Sequence, residues 1–569
     1  MKQVIRRHVT VLLVIFLVST VWAQQAKYVF YFIGDGMGVN QVNGTEMYLA
    51  EQEGRIGVKP LLFTTFPAGT MATTFSATNS VTDSSAAGTA LATGEKTYNG
   101  AVSMDDDKNV LSTVAERAKK AGRKVGIATS VSVDHATPAA FYAHQPNRSR
   151  YYEIALDLPK AGFDFYAGSG FLKPTTTADK KEAPNVFPII EEAGYTIARG
   201  LDEYKEKAAD AKKMILIQKE GAEPSCLPYA IDHEEGDLTL PEITESAVSF
   251  LSKGNKKGFF LMVEGGKIDW ACHSNDPVTV FEEVIDLDNA VRVAYEFYKK
   301  HPKETLIVVT ADHETGGMGL GIGKYELHLK SLLNQKQSQD LLSKAITDLR
   351  KDKAGKASWN EIKDLLTEKM GFWKELPLTW EQEKMLRDEY EQSFVKNKVV
   401  FEESLYARTE PLAAAARKVM SQIAMVGWTS SSHTAGYVPV FAIGAGADLF
   451  TGKMDNTEIP KRIAKAAGYS VIKSGSRLHF DLISSGLLFQ ILFDNLVHFF
   501  DQLFSFLGGF HLFVFIAEVC PFGNVFAPFF KFVLCRVAVG VYVLFGNGVV
   551  SVNHIIHNNV VFNGYDDST

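Results

Sequence analysis

Nothing narrows the fold of this chain further than four apolar, β-rich runs: YVFYFIGDG at 28–36, KVGIATS at 124–130, GFFLMVEGG at 258–266 and TLIVVTADH at 305–313. Short apolar runs that keep no polar alternate positions describe strands buried on both faces. Helical patterns such as VLSTVAERAKKAG and VFEEVIDLDNAVRVAYEFYKKH lie between them. Such alternation implies an α/β fold: a large, mostly parallel central sheet with helices on both faces.

Three of the runs end directly in acidic or Asp-His clusters, at Asp35, Glu264 and Asp312-His313. The fourth leads within a few residues to Asp134-His135. Open α/β sheets build their sites outside the carboxyl ends of the strands. These polar clusters are therefore expected to converge, although they are far apart along the chain.

The N-terminus, MKQVIRRHVTVLLVIFLVSTVWAQQ, places three basic residues before an apolar run that ends in Val21-Trp22-Ala23. It reads as a signal peptide over 1–23, so the protein is expected to be exported, to the periplasm or the cell exterior. The run is short for a membrane span, which needs about 20 residues. The formal charge of −7 argues against a nucleic-acid partner. It does not argue against phosphate substrates, because bound cations can dominate a site locally. Four cysteines, Cys226, Cys272, Cys520 and Cys535, suggest no disulfide framework.

Residues 24–469 are expected to form the main domain. Within them, 319–426 is rich in Lys, Glu and Leu at helical spacing and reads as a helical insertion on the rim of the sheet, either a solvated subdomain or a lid. Composition changes sharply over 470–569, which hold nearly half of the chain's 38 phenylalanines. No helical face there stays polar, so an amphipathic soluble helix fits poorly. A misjoined gene end is favoured, since the complement of Lys- and Glu-rich coding DNA reads as Phe and Leu. A membrane-associated tail and an ordinary domain are the alternatives, and membrane contact is expected only if this tail is genuine.

Chemistry concentrates in a few short stretches. In VEGGKIDWACHSND, Asp269 and His273 stand four apart, which on a helix puts both on one face within reach of one zinc ion. Glu264 closes the preceding strand and suits a harder cation. TADHETGGM offers Asp312 and His313, FIGDGMG offers Asp35 among glycines, and TSSSHTAG offers His433. Each alone is ordinary, and a single histidine is more often structural than a ligand. Together they form the inventory of a two-metal site that clamps the attacking and leaving oxygens of an in-line displacement. SVTDSSAAGTALATG then raises a choice. A serine before an Ala/Gly run either caps a helix or is a nucleophile aimed by the positive end of that helix. The metal inventory favours the nucleophile.

The set GDGMG, VTDSSAAGTALATG, DHATPAAFYAH, VEGGKIDWACH, TADHETGG and SSHTAG resembles alkaline phosphatase, in its bacterial, exported form. The likeness spans about 27–318 and 427–469 in one order. It implies an alkaline-phosphatase-like fold and hydrolysis of a broad range of phosphate monoesters through a phosphoserine. The residue after the aspartate of the TDS motif, Ser84, is then the nucleophile. The resemblance implies two zinc ions and one magnesium ion. Asp269, His273 and His433 match the first zinc position. Asp35, Asp312, His313 and Ser84 match the second. Asp35, Thr137 and Glu264 match the third, usually magnesium. Arg148 matches the arginine that clamps substrate phosphate, with Arg150 as second choice, and Asp83 is expected behind it. Other members carry Asp at the position of His135 and Lys at that of Trp270; the pair seen here, also found in the family, bears on metal preference at the third position, and His135 is expected behind the ligands. A homodimer is a further expectation from the family. Sulfatases need a Pro and an Arg beside the nucleophile, which TDSSAAG lacks. Diesterases usually use Thr and lack the arginine and third site. A metal- or phosphate-binding protein without turnover is the non-enzyme alternative.

Overall fold

The four apolar runs become four adjacent strands. A computed structural model describes residues 25–323 and 325–470. Its strands, in chain order, begin with β1 (Tyr28–Gly34), β2 (Ala68–Thr73), β3 (Lys124–Thr129), β4 (Phe165–Ala167), β5 (Tyr195–Arg199), β6 (Lys213–Ile217), β7 (Phe259–Gly265) and β8 (Thr305–Ala311). Short strands follow: β9 (Glu314–Thr315), β10 (Met318–Leu320), β11 (Glu402–Glu403), β12 (Arg408–Thr409), β13 (Val426–Trp428) and β14 (His433–Thr434). The last two are β15 (Val438–Gly444) and β16 (Met454–Asp455).

Ten of them form one sheet in the order β16-β2-β15-β8-β1-β7-β3-β4-β6-β5. Only β15 runs against the rest, antiparallel to both β8 and β2. Every residue of β1, β7 and β8 is buried, so both faces at the centre are covered. Phe30 packs edge-on to Phe259 with ring centroids 5.2 Å apart. Each such buried ring contributes about 1.5–3 kcal/mol relative to exposure.

Register decides where the site falls. Gly34 of β1 pairs with Gly265 of β7 and with Ala311 of β8. Three parallel strands therefore end level, which brings Asp35, Glu264 and Asp312 to one edge. Glu264 also faces Thr129, the last residue of β3.

The helix Pro277–Lys300 follows its sequence pattern, with Asp276 as N-cap and Pro277 in the first turn. The pattern VLSTVAERAKKAG is helical only from Val114 to Lys120. Thr113 and Glu116 form a capping box that starts the helix there, leaving Val110–Ser112 outside it.

Residues 319–426 leave and return through the β10–β13 ribbon, where Gly319 pairs with Gly427. They hold helices Gln339–Asp352, Trp359–Met370, Trp380–Tyr390 and Pro411–Ala424, and the β11–β12 hairpin. Among the described residues no helix is long and apolar enough to cross a membrane. The expected signal segment and the Phe-rich tail beyond Ser470 lie outside the described residues. Cys226 and Cys272 are free thiols.

Candidate metal centre and nucleophile

In the serine stretch the structure gives the capping role to Asp83. It is the N-cap of the helix Ser84–Thr93, its carboxylate accepting from the Ala86 amide at 3.0 Å. Capping thus falls to the aspartate, and Ser84 begins the helix with its hydroxyl uncommitted to the backbone. Every residue of this helix is buried. A Cβ at Gly88 would stand 3.1 Å from the Ala140 Cβ and 3.3 Å from the Thr137 Cα. The Ala/Gly run therefore lets the Ser84 helix lie against the His135–Ala140 segment.

Glycine plays a comparable part at Gly36, whose φ is 72°. A Cβ there would lie 2.8 Å from the Asp269 Cα, and its amide donates to Asp312 Oδ1 at 3.2 Å. Only a glycine lets the Asp35 turn close onto the Asp269 helix, Lys267–His273.

Three groups of side chains converge here: Asp269, His273 and His433; Asp35, Asp312 and His313; and Asp35, His135 and Glu264. Within each, the ligand atoms lie within 4.8 Å of one another. Nearly all of these residues are buried, and His433 is half-buried. Thr137 Oγ1 donates to Asp35 Oδ2 at 3.4 Å, placing it beside the third group. His135, expected behind the ligands, stands within that group. Ser84 Oγ lies 3.2 Å from His313 Nε2.

Hydrogen bonds fix how the imidazoles face. His273 Nδ1 donates to the Ser431 carbonyl at 2.6 Å and His433 Nδ1 to the Thr82 carbonyl at 2.8 Å. Thr315 Oγ1 donates to Asp269 Oδ1, so it accepts from His313 Nδ1, 3.2 Å away. All three rings spend their N–H outward and turn the Nε2 lone pair inward.

Those lone pairs meet other acceptors. His273 Nε2 is 3.2 Å from Asp269 Oδ2 and 3.2 Å from His433 Nε2. His313 Nε2 is 3.2 Å from Asp312 Oδ2 and 3.3 Å from Asp35 Oδ1. The carboxylate oxygens Asp35 Oδ1, Asp269 Oδ2 and Asp312 Oδ2 are buried and accept no hydrogen bond. Acceptors packed against acceptors repel unless positive charge lies between them, so these donor sets fit divalent cations.

In the second and third groups, buried charge leads to the same place. Burial and then the charges of Asp312, Asp269 and Glu264 push Asp35 well above the carboxylate range. Burial and Asp269 do the same to Asp312. Glu264 is pushed up to about 7, chiefly by burial. Burial and the charge of His433 press His313 down, keeping it neutral as a ligand must be. His135 is brought down to about 3 by burial and then by Arg148.

Arg148 stands over the cluster. Its Nη1 lies 3.4 Å from Asp83 Oδ2, and its Nη2 donates to the Tyr406 hydroxyl at 2.8 Å and approaches His135 Nε2 at 3.3 Å. Burial tends to raise Asp83, but Arg148 and the Ala86 amide hold it below the usual carboxylate range. Arg150 turns away, to Gln145 and Glu153.

The alkaline phosphatase family model matches residues 26–166 and 206–469. The chain belongs to the alkaline phosphatase family. Alkaline phosphatase 3 of Bacillus subtilis is 32% identical over 458 residues, 79% of this chain and 90% of that protein. The Escherichia coli K12 alkaline phosphatase is 31% identical over 334 residues, 51% of this chain and 70% of that protein. Among solved structures, the cold-active alkaline phosphatase of a psychrophilic Shewanella superposes with a TM-score of 0.65 at 29% identity, over 77% of this chain and 99% of that one. The alkaline phosphatase of the Antarctic bacterium TAB5 gives 0.54 at 26% identity, over 79% and 99%. Two variants of the TAB5 enzyme, in which a histidine is replaced by Glu or by Asp, were solved with Mg bound in the M3 site.

As a member of this family the chain is a phosphomonoester hydrolase. Several residues around the cluster escaped the sequence reading. Thr129 donates to Glu264. Thr315 links Asp269 to His313, and Glu314 accepts from Gln41 at 2.6 Å, from the Gly317 amide at 3.0 Å and from Thr434. Both follow His313 directly in TADHETGG, so adjacency to a ligand was their signal. Tyr406, from the hairpin in the insertion, had no such signal.

Proposed function

We propose that the chain hydrolyses phosphate monoesters through a phosphoserine on Ser84, with two zinc ions and one magnesium ion. The observation that carries this reading is the convergence of inward Nε2 lone pairs and unpartnered carboxylate oxygens, with the Ser84 hydroxyl 3.2 Å from one of them, His313 Nε2. Asp269, His273 and His433 would hold one zinc. Asp35, Asp312 and His313, with Ser84 Oγ, would hold the other. Asp35, Thr137 and Glu264 would hold magnesium, with His135 alongside. When bound, the ions supply concentrated positive charge that favours the serine alkoxide and offsets charge on the phosphoryl oxygens.

The chain's own groups do the positioning, which dominates phosphoryl transfer. Ser84 Oγ sits at a helix N-terminus, where free amides and the helix dipole favour negative charge. It attacks phosphorus; the Oγ–P bond forms while the P–O bond to the departing alcohol breaks. Water then cleaves the Oγ–P bond, releasing inorganic phosphate and restoring Ser84. Arg148 holds two phosphoryl oxygens through its planar fork, and Asp83 keeps that fork in place. The basic-then-apolar N-terminus supports export.

The test is protein purified with zinc and magnesium, assayed on an aryl phosphate, a phosphodiester and a sulfate ester. Hydrolysis of the monoester alone, label trapped on Ser84 at acid pH, and metal content by mass spectrometry near two zinc and one magnesium support the reading. Label on another residue, or no monoester hydrolysis, ends it.

A further inference from the structure

The β11–β12 hairpin carries Tyr406 out of the insertion and onto the phosphate-binding arginine. Glu402 pairs with Thr409 and Glu403 with Arg408, leaving a four-residue tip, Ser404–Ala407. The Ser404 amide donates to the Ala407 carbonyl at 2.9 Å, which closes the tip. The tip divides the opening above the cluster into two hollows of about 420 and 400 Å³. His273 and His433 line one; His135 and Trp270 line the other.

The hairpin is held at both ends. At its base, Glu402 accepts from Arg417 at 3.0 Å and Lys418 at 2.8 Å, and Thr409 accepts from Gln339 at 2.6 Å. Arg417 also donates to the carbonyl of Ser274, which ends the Asp269 helix. At the tip, the Tyr406 ring stacks on Trp270 of that same helix, centroids 4.6 Å apart and planes 10° apart. The ring is also edge-on to His273 and His135, at 5.4 and 5.6 Å. So placed, its hydroxyl accepts from Arg148 Nη2 at 2.8 Å, the shortest of that arginine's side-chain contacts.

We infer that Tyr406 is a positioning residue for phosphate recognition: stacked on Trp270, it fixes the Arg148 fork from the side opposite Asp83. The inference rests on the phosphatase reading for the role of Arg148. A guanidinium held from two sides loses less freedom when phosphate binds, so affinity rises without new contacts to the ligand. Because the phenol accepts from Arg148, its own hydrogen remains free; among the described residues no acceptor takes it.

The experiment uses the full chain loaded with zinc and magnesium. Inorganic phosphate binding is measured by calorimetry, and KM and kcat on an aryl phosphate separately. Tyr406→Phe removes the hydroxyl and keeps the stack, so folding is preserved; Tyr406→Ala removes both. For Tyr406→Phe, phosphate affinity falls about ten-fold and KM rises in step, while kcat stays within about two-fold, the pattern of lost uniform binding. In an Arg148→Ala background, Tyr406→Phe has no further effect on phosphate affinity. Equal losses in both backgrounds, or affinity within about two-fold of wild type in the single variant, overturn the inference. Wild-type protein that binds phosphate but hydrolyses no monoester refutes the phosphatase reading alone and leaves this comparison intact.

Discussion

Ser84 Oγ lies 3.2 Å from Nε2 of His313, both side chains wholly buried, while the neighbouring Ser85 Oγ donates to Asp83 Oδ2 at 2.7 Å. The two adjacent hydroxyls therefore have different work. Ser84→Ala is expected to lower turnover by on the order of a thousand-fold or more, while inorganic phosphate still binds. Ser85→Ala should cost less than about ten-fold. Steady-state rates and phosphate calorimetry on the two variants check this. Equal losses would remove Ser84 from the role of nucleophile.

Asp83 joins two functions that substitution can separate. Its carboxylate caps the Ser84 helix through the Ala86 amide and lies 3.4 Å from Arg148. Asp83→Asn keeps a capping oxygen but loses the charge facing Arg148, so KM should rise several-fold with little change in melting temperature. Asp83→Ala should match that KM and also lose about 1 kcal/mol of stability. Thermal melts beside KM values distinguish the two effects.

Removing the metals should reverse the sign of one substitution. Asp312 Oδ1 accepts from the amides of Gly36 and His313, whereas Oδ2 accepts nothing and faces His313 Nε2. An asparagine can keep the first oxygen and its partners while deleting the buried charge. In chelator-stripped protein, Asp312→Asn should therefore stabilise the fold by about 1 kcal/mol or more. In protein loaded with zinc and magnesium it should destabilise, because a ligand is lost. Melts of both proteins with and without chelator test the crossing. A substitution destabilising in both states would show that Asp312 does not face a cation.

A second charged pair, away from the cluster, gives stability its own pH dependence. His144 Nε2 lies 3.1 Å from Glu116 and its Nδ1 donates to the Ser103 carbonyl at 3.0 Å; its amide donates to Asp157. Burial lowers His144, but Glu116, the Ser103 carbonyl and Asp157 outweigh it and leave it raised. A histidine raised on folding contributes fully below its unfolded value of about 6.5, and loses that contribution as pH rises through the higher folded value. Glu116 is lowered: burial opposes this, but His144 and the Thr113 amide prevail, so its share disappears only as pH falls below the usual glutamate range. His144→Gln should thus cost about 1 kcal/mol near pH 6 and progressively less toward pH 9. A melting-temperature difference that is flat over this range would contradict the pairing.

The sequence made the centre of the sheet legible and left its edges obscure. β8, β1, β7 and β3 are wholly or almost wholly buried, so their apolar runs carried no conflicting signal. β4 has three residues, and β2 alternates buried with exposed positions in an Ala/Gly/Thr stretch that no strand propensity marks. β15 contains Pro439 and runs against its neighbours, and its pairing depends on β2 and β8 from distant parts of the chain. The cluster was legible for a different reason: Asp35, Glu264 and Asp312-His313 lay at the ends of apolar runs, and Asp269 and His273 stood four apart. Tyr406 was not, because its position depends on a hairpin held by Arg417, Lys418 and Gln339, contacts with no local pattern.

Glu314 offers the sharpest test of how the cluster is held. It touches no group in the cluster directly, yet it ties three segments that do. Its carboxylate accepts from Gln41, on the helix after Asp35, from the Gly317 amide in the turn after His313, and from Thr434, the residue after His433. The backbone adds to this, since Glu314 pairs with Thr434 and Thr315 with His433 across β9 and β14. A Cβ at Gly38 would fall 2.2 Å from the Glu314 Cγ, so glycine at this position leaves the Glu314 side chain its room. Removing the carboxylate leaves buried donors unpaired and frees β14 to drift. Glu314→Ala should lose about 2–3 kcal/mol of stability, and zinc should leave it about ten-fold faster under chelator than it leaves wild type. Glu314→Gln, which keeps an acceptor for Gln41 or Gly317, should fall between the two. A zinc loss rate in Glu314→Ala equal to wild type would mean that His433 is held by the β9–β14 pairing alone.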